Sequence, residues 1–97
     1  MDEKVLLQIN PIFKKYGEIE RVVLYGSRAK GNYKPGSDYD ITLVGNNINL
    51  SILNKISLDI DDLLLPYKFD ISIFNHIKNT ELIEHIHRVG ITIFSKD

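Results

Sequence analysis

The run Arg21-Val22-Val23-Leu24-Tyr25 passes straight into Gly26-Ser27, with nothing left over for a loop between them. A short segment rich in β-branched and aromatic residues reads as a strand. The next six residues, Gly26-Ser27-Arg28-Ala29-Lys30-Gly31, open a short helix from a Gly-Ser turn. Such a turn leaves backbone N–H groups unpaired and pointing outward. The start of a helix also carries roughly half a positive charge, so the junction attracts anions. Any fold this chain adopts must bring a strand end, a tight turn and a helix start to one point.

The rest of the chain alternates between helical and strand periods. Val5, Leu6, Ile9, Ile12, Phe13 and Tyr16 recur at helical spacing, with Gly17 placed to end the helix and Pro11 placed to kink it. After a turn at Tyr33 to Ser37, containing Pro35-Gly36, a second strand is expected over Asp38 to Val44. Residues 45–49 form a loop. Leu53, Ile56, Ile60, Leu63 and Leu64 predict a helix from about Leu50 to Leu64, stopped by Pro66. Tyr67 to Phe74 alternates, with Phe69, Ile71 and Ile73 on one face and Lys68, Asp70 and Ser72 on the other. Thr80 is the expected N-cap of a last helix carrying Ile83, Ile86 and Val89, which Gly90 ends before a strand at Ile91 to Phe94. The order α-β-(short α)-β-α-β-α-β predicts an α/β or α+β domain with a small sheet.

Composition bounds what such a domain does. The 97 residues carry 12 Lys+Arg against 13 Asp+Glu, a balance that argues against wrapping duplex nucleic acid, which needs many cationic contacts to phosphate. Direct nucleic-acid binding is therefore not expected. There is no cysteine, which excludes disulfide scaffolds, thiolate zinc sites and thiol nucleophiles. The N-terminal MDEKVLLQINPIFKKYG has acids beside its lysine and no long apolar run, so neither a signal peptide nor a membrane span is expected. The expectation is one domain over residues 1–97, cytoplasmic and not membrane-bound, without a separate acceptor-binding domain.

Ten residues beyond Gly26-Ser27 stands Asp38-Tyr39-Asp40. On a strand, residues i and i+2 face the same way, about 7 Å apart. Two carboxylates so placed repel, and a divalent cation resolves the conflict: Mg²⁺ takes carboxylate oxygens and keeps positions open for phosphates. Asp70 lies on the polar face of its strand. If that strand pairs beside Asp38–Val44, three carboxylates share one sheet face next to the Gly-Ser turn. Three carboxylates can hold two divalent ions about 3.5–4 Å apart, the arrangement used in phosphoryl and nucleotidyl transfer. Each element alone has an ordinary structural reading, as a capped turn, an acidic strand start or a solvated strand residue. Their combination points to chemistry.

Gly26-Ser27, ten residues, Asp38-x-Asp40 and a later Asp70 in Phe-Asp-Ile-Ser-Ile resemble the active-site signature of the polymerase-β-like nucleotidyltransferases. Within that superfamily the chain is similar, from about Val5 to Phe94, to the minimal nucleotidyltransferases, or MNT-domain proteins. The resemblance implies a small mixed sheet with the site on one face and helices packed on the other. It implies that Gly26 and Ser27 hold nucleotide phosphates and that Asp38 and Asp40 ligate both of two Mg²⁺ ions. Asp70 would ligate the metal next to the attacking hydroxyl and assist its deprotonation. ATP is the implied substrate. The implied partner is an α-helical HEPN-type protein whose tyrosine receives AMP, with this chain as the antitoxin of the pair.

Arg28, beside Ser27, is expected to contact phosphate as well, with a surface charge as its ordinary alternative. Tyr39, between two site-facing aspartates, must point to the opposite face and pack there. His76, His85 and His87 lack a cysteine or carboxylate at ligand spacing and read as solvated. Asp59, Asp61 and Asp62 read as the exposed side of a helix. Two other functions compete. A module that neutralises its partner by contact alone would not need the three aspartates. A small-molecule adenylyltransferase would need a further domain to form its acceptor pocket.

Overall fold

The computed structural model describes residues 1–96. Helix α1 (Glu3–Lys14) starts at Asp2, whose side chain accepts the Lys4 N–H, and it passes through Pro11 without ending. It finishes at Lys15 in right-handed geometry, so Gly17 lies beyond the helix in a turn rather than capping it. Strand β1 (Arg21–Tyr25) runs directly into α2 (Gly26–Lys30), as the absence of a spacer required. Strand β2 (Tyr39–Val44) begins one residue later than expected, leaving Asp38 just outside it. Helix α3 (Leu50–Asp61) is capped by the Asn49 side chain on the Ile52 N–H. Strand β3 (Phe69–Ile73) gives way to a single 3₁₀ turn at Phe74–His76. Helix α4 (Thr80–Val89) and strand β4 (Ile91–Ser95) complete the chain.

Two boundaries differ from the periodicity for identifiable reasons. Helix α3 stops at Asp61, three residues before Leu64, which has φ 53 and is 88% exposed. The buried stripe is Ile52, Ile56 and Ile60; Leu64 would continue it at the same spacing, but the helix has ended and the turn at Leu64 carries its side chain outward. At α4 the cap is Asn79, not Thr80: its side-chain oxygen accepts from the N–H groups of Glu81 and Leu82. Gly90 follows α4 at an ordinary negative φ. Its role is close approach, since an added Cβ would meet the Ile86 carbonyl oxygen and lie 2.7 Å from Val23 Cγ1.

The sheet has the order β3-β2-β1-β4 and is mixed. β1 lies antiparallel to both β2 and β4, whereas β2 and β3 are parallel and joined through α3. One face carries Val22, Leu24, Tyr39, Ile41, Leu43 and Ile73, buried against α1 and α3 through Val5, Ile9, Phe13, Ile52 and Ile56. The opposite face carries Val23 and Tyr25, which pack on Ile86 of α4. Helices therefore cover both faces. Ile86 supplies an apolar contact that draws α4 to the side where the acidic residues stand, which the expectation of helices on one face alone did not include. No helix among the described residues is long and apolar enough to cross a membrane.

Candidate active site

Tyr25 ends β1 in extended backbone, and Gly26 then turns at φ 75 into α2. A side chain would be strained at that φ. It would also collide with its neighbour, because a Cβ on Gly26 would fall on Asp40 Oδ2. Both facts demand glycine, and the second brings the turn and the Asp40 carboxylate into contact. No side chain caps α2, and at its far end the Gly31 N–H, at φ 83, donates to the Ser27 carbonyl at 3.0 Å.

The sheet register assembles the acids. Asp40 is paired with Asp70 across the parallel β2–β3 ladder and with Tyr25 across the antiparallel β1–β2 ladder. Residues in register on adjacent strands sit about 4.8 Å apart at the backbone and point to the same face. Asp38 precedes the strand and is exposed, while Asp40 is half-buried and Asp70 exposed. Burial holds the Asp40 carboxyl above its ordinary pKa, the charges of Asp70 and Asp38 push it the same way, and His85 opposes them. The Tyr25 phenol is also raised, chiefly by burial; Ser72 works against that shift, and Asp40 and Asp70 add to it. Tyr25, Asp38, Asp40 and Asp70 therefore share one electrostatic environment.

Among the described residues, no three His, Cys, Asp or Glu side chains stand close enough to enclose a metal ion. The carboxylates instead form an open edge beside the turn. That edge suits Mg²⁺, whose hard oxygen preference matches carboxylates and which binds through one or two of them together with substrate phosphates.

Arg28 is not part of this edge. Its Nε and Nη2 donate to the Ser37 carbonyl at 3.2 and 3.0 Å, and its Nη1 donates to the Tyr39 hydroxyl at 3.3 Å. The guanidinium lies over the rings of Tyr39 and Tyr33 at 4.3 and 4.4 Å. Tyr39 points to the sheet face opposite Asp40, as expected, and stacks on Phe69 with centroids 5.1 Å apart. The hollow lined by Met1, Asp2, Arg28, Tyr33, Tyr39 and Tyr67, of about 420 Å³, is on this side, away from the carboxylates. π-faces and a carbonyl engage the planar fork of Arg28, which is the structural role the sequence offered as the alternative to phosphate contact.

His85 was expected in solvent and is instead at the turn: its Nε2 accepts the Gly26 N–H at 3.1 Å. The signal was a helical stripe, since Leu82, His85, Ile86 and Val89 follow i, i+3, i+4, i+7, and a polar residue on a buried stripe needs a partner. His76 and His87 are exposed, as expected.

Residues 7–97 match the sequence family described as Polymerase beta, Nucleotidyltransferase. MJ0604 of Methanocaldococcus jannaschii, which is named as a protein adenylyltransferase, is 41% identical over 46 residues. That match spans 45% of this chain and 46% of the relative, so less than half of the relative's length is represented. Among solved structures, a toxin–antitoxin crystallised with AMP-PNP aligns with a TM-score of 0.73 at 14% identity, over 98% of this chain and 74% of that one. A Shewanella oneidensis complex, described as a tri-AMPylated HEPN toxin with its MNT antitoxin, aligns with a TM-score of 0.72 at 13% identity, over 98% and 73%. At those identities the likeness is one of fold, the polymerase-β-like nucleotidyltransferase fold. With the family match running over nearly its whole length, the chain belongs to the polymerase β nucleotidyltransferase family.

Proposed function

We propose that residues 1–97 are a minimal, Mg²⁺-dependent nucleotidyltransferase domain that moves AMP from ATP onto a protein hydroxyl. The observation that carries this reading is the Asp40–Asp70 register beside a glycine turn that abuts the Asp40 carboxylate. The acceptor is a tyrosine of a helical HEPN-type partner, which this chain neutralises as an antitoxin in the cytoplasm. The name of the M. jannaschii relative and the AMPylated complex of the structural neighbour support that assignment.

The turn at Gly26 and Ser27 receives the nucleotide phosphates at the start of α2, beside the Asp40 carboxylate whose close approach the missing Gly26 side chain permits. Asp38, Asp40 and Asp70 supply the carboxylate oxygens for the metal. When bound there with the nucleotide, Mg²⁺ supplies charge neutralisation for the phosphates and acidifies the acceptor hydroxyl. The acceptor oxygen bonds to the α-phosphorus, the α–β phosphoanhydride bond breaks and pyrophosphate leaves. The hydroxyl proton passes to the Asp70 carboxylate, which is exposed and reachable. A hydroxyl must be held about 3–3.5 Å from the phosphorus for this step. The partner chain supplies that alignment.

Intact-mass spectrometry of the cognate helical partner after incubation with this chain and Mg-ATP tests the proposal. The expected result is the addition of one or more AMP masses to a partner tyrosine. A partner that is inhibited yet unmodified would overturn it in favour of neutralisation by contact alone.

A further inference from the structure

His85 stands on the sheet-facing stripe of α4, which packs on the same sheet face as the acids, and meets the turn there. Its Nε2 accepts the Gly26 N–H at 3.1 Å, across a sequence separation of 59 residues. Its ring lies edge-on to Tyr25, with centroids 6.2 Å apart and planes at 80°. An imidazole nitrogen accepts an N–H only when it carries no proton, so this bond specifies the tautomer with the proton on Nδ1.

Gly26 is therefore held on two sides. Asp40 Oδ2 occupies the space where its side chain would be, and His85 takes its N–H. A glycine at φ 75 has many conformations open to it when free, and two contacts remove that freedom. Packing alone does not require this bond, because Ile86 already joins α4 to Val23 and Tyr25. The hydrogen bond adds direction at a residue that abuts the Asp40 carboxylate.

The geometry points to His85 as a positioning residue for the nucleotide-binding turn: by holding the Gly26 N–H it fixes the Gly26-Ser27 backbone in register with Asp40. The inference rests on the nucleotidyl-transfer reading. His85 itself contacts no reacting atom and acts through Gly26. Fixing the turn matters most at the moment of transfer, when phosphate and carboxylates must be aligned together.

The test compares wild type with His85→Leu, His85→Gln and, as a control, the exposed His87→Ala. Melting temperature, Mg-AMP-PNP affinity and AMP transfer to the partner are measured for each. His85→Leu is expected to lose about tenfold in kcat, the scale of one hydrogen bond, with a smaller change in KM. His85→Gln places an acceptor oxygen near the same N–H and is expected to recover most of that loss. His87→Ala is expected to match wild type. Transfer by a folded His85→Leu at the wild-type rate would overturn the inference, as would equal losses in the Leu and Gln variants.

If wild type binds Mg-AMP-PNP but transfers nothing, the functional reading fails while the nucleotide affinities of the same variants still judge His85. A variant that does not fold is replaced by nitrogen-15 NMR on wild type. An acceptor-type Nε2 and a slowly exchanging Gly26 amide are expected; a protonated Nε2 with a freely exchanging Gly26 amide would overturn the role.

Discussion

Tyr39 and Asp40 are consecutive in β2 and meet opposite conditions. Tyr39 is 1% exposed, stacked on Phe69 and covered by the Arg28 guanidinium, which is itself tied to Ser37. Asp40 faces Asp70 across the ladder, touches the Gly26 turn and has its carboxyl pushed above its ordinary pKa by burial and by two neighbouring acids. The Tyr39 side satisfies its groups within the chain. The Asp40 side gathers like charges, which His85 opposes. One strand thus separates residues whose groups are satisfied within the fold from the acids proposed to receive a ligand, and the separation is open to test by mutation.

The largest effect on stability is expected on the aromatic side. Tyr39→Ala removes a buried ring from the stack and should lower stability by about 3–5 kcal/mol, read from urea midpoints. A loss no larger than that of a surface substitution would erase the contrast. Gly26→Val, at the seam between the two sides, should be the next largest. The left-handed φ alone contributes about 1–2 kcal/mol, and the collision with Asp40 adds to it. Calorimetric titration should also show weakened Mg-ATP binding, and unchanged affinity would count against a phosphate-binding turn.

Arg28→Gln should lower stability by about 1–2 kcal/mol through loss of its stacking and its bonds to Ser37, read as a lower melting temperature. Its Mg-ATP affinity should stay at the wild-type level. A selective loss of nucleotide affinity at unchanged stability would return Arg28 to the phosphate site.

Much of this was legible in the sequence because it depends on local spacing. The strand-to-turn junction at Gly26 and the inward packing of Tyr39 follow from a two-residue strand period and the absence of a spacer, whereas the shared face of Asp40 and Asp70 was conditional on the two strands pairing, which the structure supplies. What was not legible depends on which distant groups meet. Arg28 is adjacent to Ser27, yet its long side chain reaches away to Ser37 and Tyr39. His85 reaches Gly26 only because α4 packs on the acidic face, and nothing in the period of α4 says which face it covers. Leu64 looked apolar enough for a stripe, but the turn after Asp61 rotates it outward.

A smaller effect is expected from pH. The folded state raises the Asp40 pKa above 3.8, so it holds that proton to higher pH than the unfolded chain does. The stability this provides is complete below the ordinary carboxylate pKa and is lost as pH rises through the raised folded value. Relative to Asp40→Asn, the wild type should therefore lose stability over that window. Urea midpoints across the acid range check the sign, and a wild type that gained on the variant would show the carboxylate to be paired rather than crowded.

The central claim is that the acidic edge exists for nucleotidyl transfer and not for the fold. Paired measurement of AMP transfer to the partner and of melting temperature, for wild type and Asp40→Asn at saturating Mg²⁺, tests it most directly. The account predicts that transfer is abolished while the melting temperature is equal or slightly higher, because one of three mutually repelling charges is gone. Wild-type transfer by Asp40→Asn, or a variant that melts well below wild type, would contradict it.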